Sequence, residues 1–223
     1  MNLQAKQILI TSGGTLEKWD QVRGHTNLSK GVMGCHLAEE ALNMGADVIY
    51  LHGYFSKLPT NHQKMRVIQF EGIQDLSDKI QTIVKGEPIY AVIMTAAISD
   101  WVVDKIIGSN GEIINNLGKI PSESPPIIHF KKAPKLISEI KHWNPDVLLV
   151  GFKLEHSVDV DYLLDRSKQR METWRADYVV ANSTGSLYSD ATSHYVLSKD
   201  GSVQTISKKS ETAHAVIHIL DSN

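Results

Sequence analysis

The sequence predicts an α/β fold built on a doubly wound, mainly parallel sheet. Apolar runs at 8–10, 47–51, 66–70, 90–94, 147–152 and 178–181 alternate with stretches of helical period. That alternation places helices on both faces of a parallel sheet. The first run passes directly into Thr11-Ser12-Gly13-Gly14-Thr15, a small-residue turn where a backbone can approach an anion. A non-periodic stretch, 102–126, interrupts the pattern and reads as an extension of the domain. Together these features predict one Rossmann-like domain over 1–223, with 102–126 as a flexible active-site loop or β-arm.

After the Gly13-Gly14-Thr15 turn, a helix is expected over about 31–44, with Met33, Leu37, Ala38, Ala41 and Leu42 on its apolar face and Gly45 ending it. Gly31 and Gly34 would let this helix sit close to the sheet or to a ligand, and its first turn would present unpaired N–H groups. Strands follow at 47–51 and 66–70, joined by a loop over 53–64. Ile73, Leu76, Ile80 and Ile83 make the stripe of a second helix closed by Gly86. The continuous apolar run at 90–94 suits a buried parallel strand.

That strand leads into Thr95-Ala96-Ala97-Ile98-Ser99-Asp100-Trp101. Small residues at the carboxyl end of a central strand leave room for a ligand, and ligands of open α/β sheets bind at that end. Asp100 is placed to accept from a base or sugar, or to cap a turn. Over 102–126 Gly108, Asn110, Gly111, Asn115, Asn116 and Gly118 break any helix, and Lys119 follows. A long irregular stretch in a compact domain marks a lid or an interface arm. Beyond it a strand is expected at 127–130, a helix with Pro at its start over 134–143, a buried strand at 147–152, and a helix over 158–174 with Val160, Leu163, Leu164, Ser167 and Met171 inward. A strand at 178–181, a hairpin of 195–198 and 203–206 around Asp200-Gly201, and a last helix with Ala213, Val216, Ile217 and Leu220 inward complete the chain.

With 23 basic and 25 acidic residues, the formal net charge of −2 gives no field for nucleic acid or a membrane surface. No signal-like or membrane-spanning run is present, and the single cysteine, Cys35, precludes an intrachain disulfide, so a cytoplasmic setting is expected. Cys35 falls within a helix and reads as a small packed thiol rather than a nucleophile. His214 and His218 have the i, i+4 spacing of a metal pair, but no third ligand is near in sequence and exposed helix histidines are the simpler account. No metal-binding residues are therefore assigned.

Seven motifs in order, ITSGGT, VRGHTNLSKGVMG, TAAISDW, GKI, KAPKLI, GFKLE and DYVVAN, resemble those of phosphopantothenoylcysteine synthetase, across nearly the whole chain. The resemblance implies a ligase of coenzyme A biosynthesis, usually a homodimer, that joins 4'-phosphopantothenate to L-cysteine through an acyl-nucleotide. It implies that Asn27 contacts the acyl-nucleotide and that the loop lysine Lys119 meets the phosphates. It implies Ala96 and Asp100 at base and ribose, Ala133, Pro134, Lys135, Leu136 and Phe152 walling the nucleotide, and Arg170 facing phosphate. Gly13, Gly14 and Thr15 would then form the anion cradle. Where the bacterial pattern has lysine after glycine, this chain has Lys30-Gly31-Val32, and Trp174 replaces a second helix lysine. CTP is expected as cosubstrate ahead of ATP, with Mg2+ held mainly by phosphate oxygens and water. A chain of this length implies a stand-alone synthetase served by a separate phosphopantothenoylcysteine decarboxylase. A nicotinamide-dependent oxidoreductase is the other class weighed, but 50–52 lacks the acidic residue a ribose requires. A non-catalytic nucleotide-sensing module would have no use for Lys119.

Overall fold

The computed structural model describes residues 3–115, 118–156, 158–190 and 192–223. The chain begins with β1 (Gln7–Ser12), a short hairpin of β2 (Leu16–Lys18) and β3 (Gly24–Thr26), and α1 (Val32–Asn43). It continues through β4 (Asp47–Gly53), β5 (Arg66–Phe70), α2 (Ile73–Gly86) and β6 (Ile89–Met94). Next come β7 (Trp101–Ile107), β8 (Ile127–Lys132), α3 (Ile140–Trp143) and β9 (Leu148–Glu155). The last elements are α4 (Val160–Trp174), β10 (Tyr178–Ser183), β11 (His194–Ser198), β12 (Val203–Ile206) and α5 (Lys209–Asp221).

Eight strands form the main sheet in the order β12-β11-β10-β9-β6-β1-β4-β5. The six from β5 to β10 are parallel, while β11 and β12 add an antiparallel edge. Chain order reverses between β1 and β6, the switch point at which doubly wound sheets open a crevice beyond their strand ends. The central strands carry apolar residues on both faces because both are covered. One face packs on α2, α3 and α4 through Leu76, Ile80, Ile140, Leu163 and Met171. The other packs on α1 and α5 through Leu37, Ala38, Ala41, Ala213, Val216 and Ile217.

The extension is a two-stranded antiparallel ribbon in which Trp101 faces Lys132 and Ile107 faces Ile127. Thus the strand expected at 127–130 exists, running to Lys132 and pairing with β7. Asn116 lies outside the described residues. Three expectations change. The helix over 134–143 is a 3₁₀ turn (Leu136–Glu139) followed by the single-turn α3. Val160, expected inward, is exposed at the start of α4, because the helix turns its Leu163, Ser167, Met171 and Trp174 stripe to the sheet instead. Strand β9 runs on to Glu155, three residues beyond the expected end.

Trp174, which stands where the resemblance suggests a lysine, is 6% exposed and packs over Gly151 of β9. A Cβ on Gly151 would lie 2.8 Å from the indole, so the glycine and the tryptophan fill one space between them. Trp174→Ala leaves a large void there and is expected to destabilise the protein by about 3–5 kcal/mol, measured as a lowered urea midpoint. A cost below about 1 kcal/mol would show that the indole is dispensable to packing.

Candidate active site

The site begins at the carboxyl ends of β1 and β6. Beyond β1 the backbone runs through Gly13, at φ +80°, and Gly14 forms a parallel bridge with Ala97. The Ala97 amide donates to the Gly13 carbonyl at 2.7 Å, and the Thr15 amide to the Ala97 carbonyl at 3.3 Å. A Cβ on Gly13 would collide with Ser56, and one on Gly14 would meet the Asn27 carbonyl at 2.8 Å. The two glycines therefore let four chain segments cross. A side chain at either position would press on the Ser56 side chain or on the 26–27 backbone. Thr15 is fully buried, its hydroxyl accepting the Ser99 amide at 3.1 Å.

The open donors lie one element later. A cavity of about 170 Å³ sits on the α1/α5 side of the sheet, lined by Ser29, Lys30, Gly31, Val32 and Met33 where α1 begins. Its far wall comprises Thr95 to Ala97, Phe152, Leu154, Asn182 and Ser186, with His194 and Lys209 at the start of β11 and α5. Gly31, at φ +75°, is the N-cap residue of α1 and brings no capping side chain, so the first-turn amides of a 12-residue helix stay available. Gly34 presses the helix onto the sheet, where a Cβ would come within 2.6 Å of the Ser12 Cβ. Lys30, a helix amino end and apolar Phe152 suit an anion with an apolar or aromatic portion, beside Lys209, whose ammonium also donates to the Ser189 carbonyl at 2.9 Å and pairs with Asp190 at 3.4 Å.

A second cluster flanks the cavity. The exposed Asn27 side chain donates to the Ala97 carbonyl at 2.9 Å, which orients its amide oxygen outward. Ser99 donates to the Trp101 carbonyl at 2.7 Å and lies 3.2 Å from His25 Nε2. This turn presents Asp100, whose carboxylate pairs with Lys135 at 2.5 Å.

Lys119 is held by its neighbour. The buried Asp20 carboxylate accepts the amides of Val22, Arg23 and Ile120 at 2.8, 2.7 and 3.1 Å. Arg23 pairs with the same carboxylate at 2.6 Å and also donates to the Ile120 carbonyl at 2.6 Å. Both backbone polar groups of Ile120 are thereby tied to the 20–23 turn. Burial pushes the Asp20 carboxyl up, but the Arg23 guanidinium and three amides outweigh it and hold the group well below the usual carboxylate range.

Of the residues expected at the nucleotide, Ala96 and Phe152 line the cavity. Asp100, Pro134 and Lys135 lie on the exposed flank, and the Ala133 amide donates to the Asp100 carbonyl at 2.9 Å. Leu136 is instead a core residue, 3% exposed beneath α2 and α4. Arg170 is half-buried on α4, which covers the opposite face of the sheet from the cavity. Lys209 and His194 escaped the sequence reading, since nothing local marks a lysine in the first turn of α5 or a histidine opening an edge strand. Cys35 is half-buried with its sulfur 3.4 Å from the Tyr50 hydroxyl, and burial raises its pKa, against nucleophilic use.

Over residues 3–222 the chain matches the family described as DNA/pantothenate metabolism flavoprotein C-terminal domain. It is 30% identical over 199 residues to the coenzyme A biosynthesis bifunctional protein CoaBC of Thermococcus kodakarensis, covering 89% of this chain and 46% of that protein. The chain spans about half the length of the curated relatives it matches. Among solved structures, the DNA/pantothenate metabolism flavoprotein of Streptococcus pneumoniae superposes with a TM-score of 0.86 at 29% identity, covering 98% of this chain and 99% of that one. The C-terminal domain of a CoaBC bifunctional protein gives a TM-score of 0.77 at 26% identity, covering 100% and 97%.

Two measurements test the site's construction. Asp20→Ala should release the 118–120 segment, so amide exchange at Ile120 is expected to quicken at least about tenfold while the central strands stay protected. Unchanged exchange would mean the carboxylate holds nothing. His194 titrates at about 4 instead of its ordinary 6.5, chiefly through burial and then the Lys209 charge, against a backbone bond at Thr192. The unfolded chain therefore binds a proton that the folded one refuses. Stability should be full above about pH 6.5 and fall as the pH drops towards about 4. His194→Gln should flatten that decline in urea titrations, and an identical slope in the variant would refute the assignment.

Proposed function

This chain belongs to the family of the DNA/pantothenate metabolism flavoprotein C-terminal domain, and on that premise we propose that it is a phosphopantothenate–cysteine ligase. The observation that carries the reading is the Asn27 amide, fixed on Ala97 between the cavity and the Asp100 flank. A carboxylate is a poor acyl donor until one of its oxygens enters a phosphate anhydride. The proposed reaction therefore has two steps in one place. The 4'-phosphopantothenate carboxylate attacks the α-phosphorus of the nucleotide and pyrophosphate leaves. The cysteine amine then attacks the acyl carbon, loses a proton, and displaces the nucleoside monophosphate.

The chain's own groups suit that sequence. The α1 amides, Lys30 and Lys209 offset the triphosphate charge, and Phe152 and Ala96 give the nucleotide an apolar wall. Asn27 donates its remaining N–H to the acyl phosphate oxygens. Lys119, presented by the Asp20–Ile120 tether, approaches the phosphates as charge builds. Asp100, held by its ion pair with Lys135, is placed on the exposed flank for the base or ribose of the nucleotide. Gly13, Gly14 and Thr15 support the pocket from beneath, and Arg170 stays in the proposal only as a neighbour across the sheet. No carboxylate is among the described residues lining the cavity. Mg2+ arriving with the triphosphate would thus be held by phosphate oxygens and water, screening their charge.

We favour CTP over ATP and a homodimer, the latter supported by the exposed Trp101, Ile127 and Phe130 on the ribbon. The product would pass to phosphopantothenoylcysteine decarboxylase chemistry. Among the described residues no helix is long and apolar enough to cross a membrane.

Incubation with 4'-phosphopantothenate, cysteine and either CTP or ATP should liberate pyrophosphate and the matching monophosphate, more of it from CTP. Asn27→Ala and Lys119→Ala should keep the wild-type circular dichroism yet lose about 10²-fold or more in pyrophosphate release. Near-normal turnover in either variant would overturn its role.

A further inference from the structure

We propose that α1 and α5 carry a binding site for one borderline-soft divalent cation, Zn2+ in the first instance, formed by Glu40, His214 and His218. The proposal rests on a juxtaposition that sequence spacing alone lacks. His214 and His218 stand one turn apart on α5, and their rings are 4.0 Å apart between centroids. The missing third ligand comes from another helix, Glu40 of α1, 174 residues away in sequence, whose carboxylate lies 2.8 Å from His214 Nδ1. One ligand atom from each of the three residues falls within 4.8 Å of the others.

Tetrahedral zinc with bonds near 2.0–2.1 Å separates its ligands by about 3.3 Å. The present separations, all within 4.8 Å, exceed that spacing by at most about 1.5 Å. The chemistry selects the ion class. Two imidazoles and one carboxylate offer two neutral nitrogens and a single negative charge, a set that suits zinc, copper, nickel or cobalt and leaves Mg2+ with too few oxygens. Binding replaces the direct His214–Glu40 contact with bonds from both side chains to the metal. The site opens on a surface groove of about 890 Å³ bordered by Glu211, His214 and His218, so the cation has direct access and water can complete its shell.

Its position gives the site a consequence. Helices α1 and α5 lie side by side on one sheet face, and the first turn of each, at Val32 and Lys209, lines the candidate active site. His214 and His218 sit five and nine residues along α5 from Lys209, about 7–14 Å by helical rise. A cation there pins two helices that otherwise meet through apolar packing and the Glu40–His214 contact, at a distance from the reacting groups. It is a stabilising clip, separate from any Mg2+ carried by a nucleotide.

Calorimetric titration of the tag-free protein with Zn2+, and with Co2+ for its visible absorption, should give one ion per chain. Saturation should raise the thermal midpoint by about 5 °C. The paired variant His214→Ala/His218→Ala, in which both changes are at exposed side chains, should lose at least about 100-fold in affinity and the whole thermal shift. Glu40→Gln should lose about tenfold, and Mg2+ should neither bind nor compete. Zinc affinity unchanged in the double variant, a stoichiometry well below one, or an equal response to Mg2+ would each overturn the proposal. Ligase turnover with CTP and Mg2+ in the double variant is expected to stay at the wild-type level. That separates failure of this site from failure of the proposed function.

Discussion

The structure depends on how closely backbone can cross backbone at the carboxyl end of β1. There the chain at Gly13 and Gly14 lies against 26–27, 53–56 and 95–97, and the Gly53 position is so near that a Cβ would stand 2.2 Å from the Gly14 carbonyl oxygen. Side chains at these points would force the segments apart. That approach sets the distance between the α1 start and the turn that follows β6. It also places the Asn27 amide on the Ala97 carbonyl and Ser99 on Thr15. The glycines act by admitting neighbours.

Electrostatics follows from that geometry. Positive partial charge from α1 and the lysines at 30 and 209 converge on one side of the sheet, while the pair Asp100–Lys135 stays on the flank. The buried Asp20 shows how this arrangement tolerates a desolvated charge. Its carboxylate is satisfied by three amides and a guanidinium, so the cost of burial is met locally and the 118–120 segment gains a fixed end.

Local pattern made most of the elements legible. The strands at 47–51, 66–70 and 90–94, the helix from Ile73 and the hairpin around Gly201 all rest on periodicity or turn chemistry that acts within a few residues. Asn27, Ala96 and Phe152 lie around the sheet's carboxyl edge. Expectations changed wherever the answer depended on a distant partner. The helix expected over 134–143 shortened to a 3₁₀ turn and one α-turn, Val160 turned outward, and Leu136 went to the core.

By itself, then, the sequence determined the alternation of elements, the small residues at both switch-point strands and the absence of a disulfide. These are decided by side-chain size, φ range and hydrophobic period, which each residue carries with it. Only tertiary structure decided that Lys209 and His194 would join Lys30 at one cavity, that Asp20 would hold Ile120 from 100 residues away, and that Glu40 would meet His214. Those meetings depend on strand order and on which sheet face each helix covers, which the burial of the whole core selects at once.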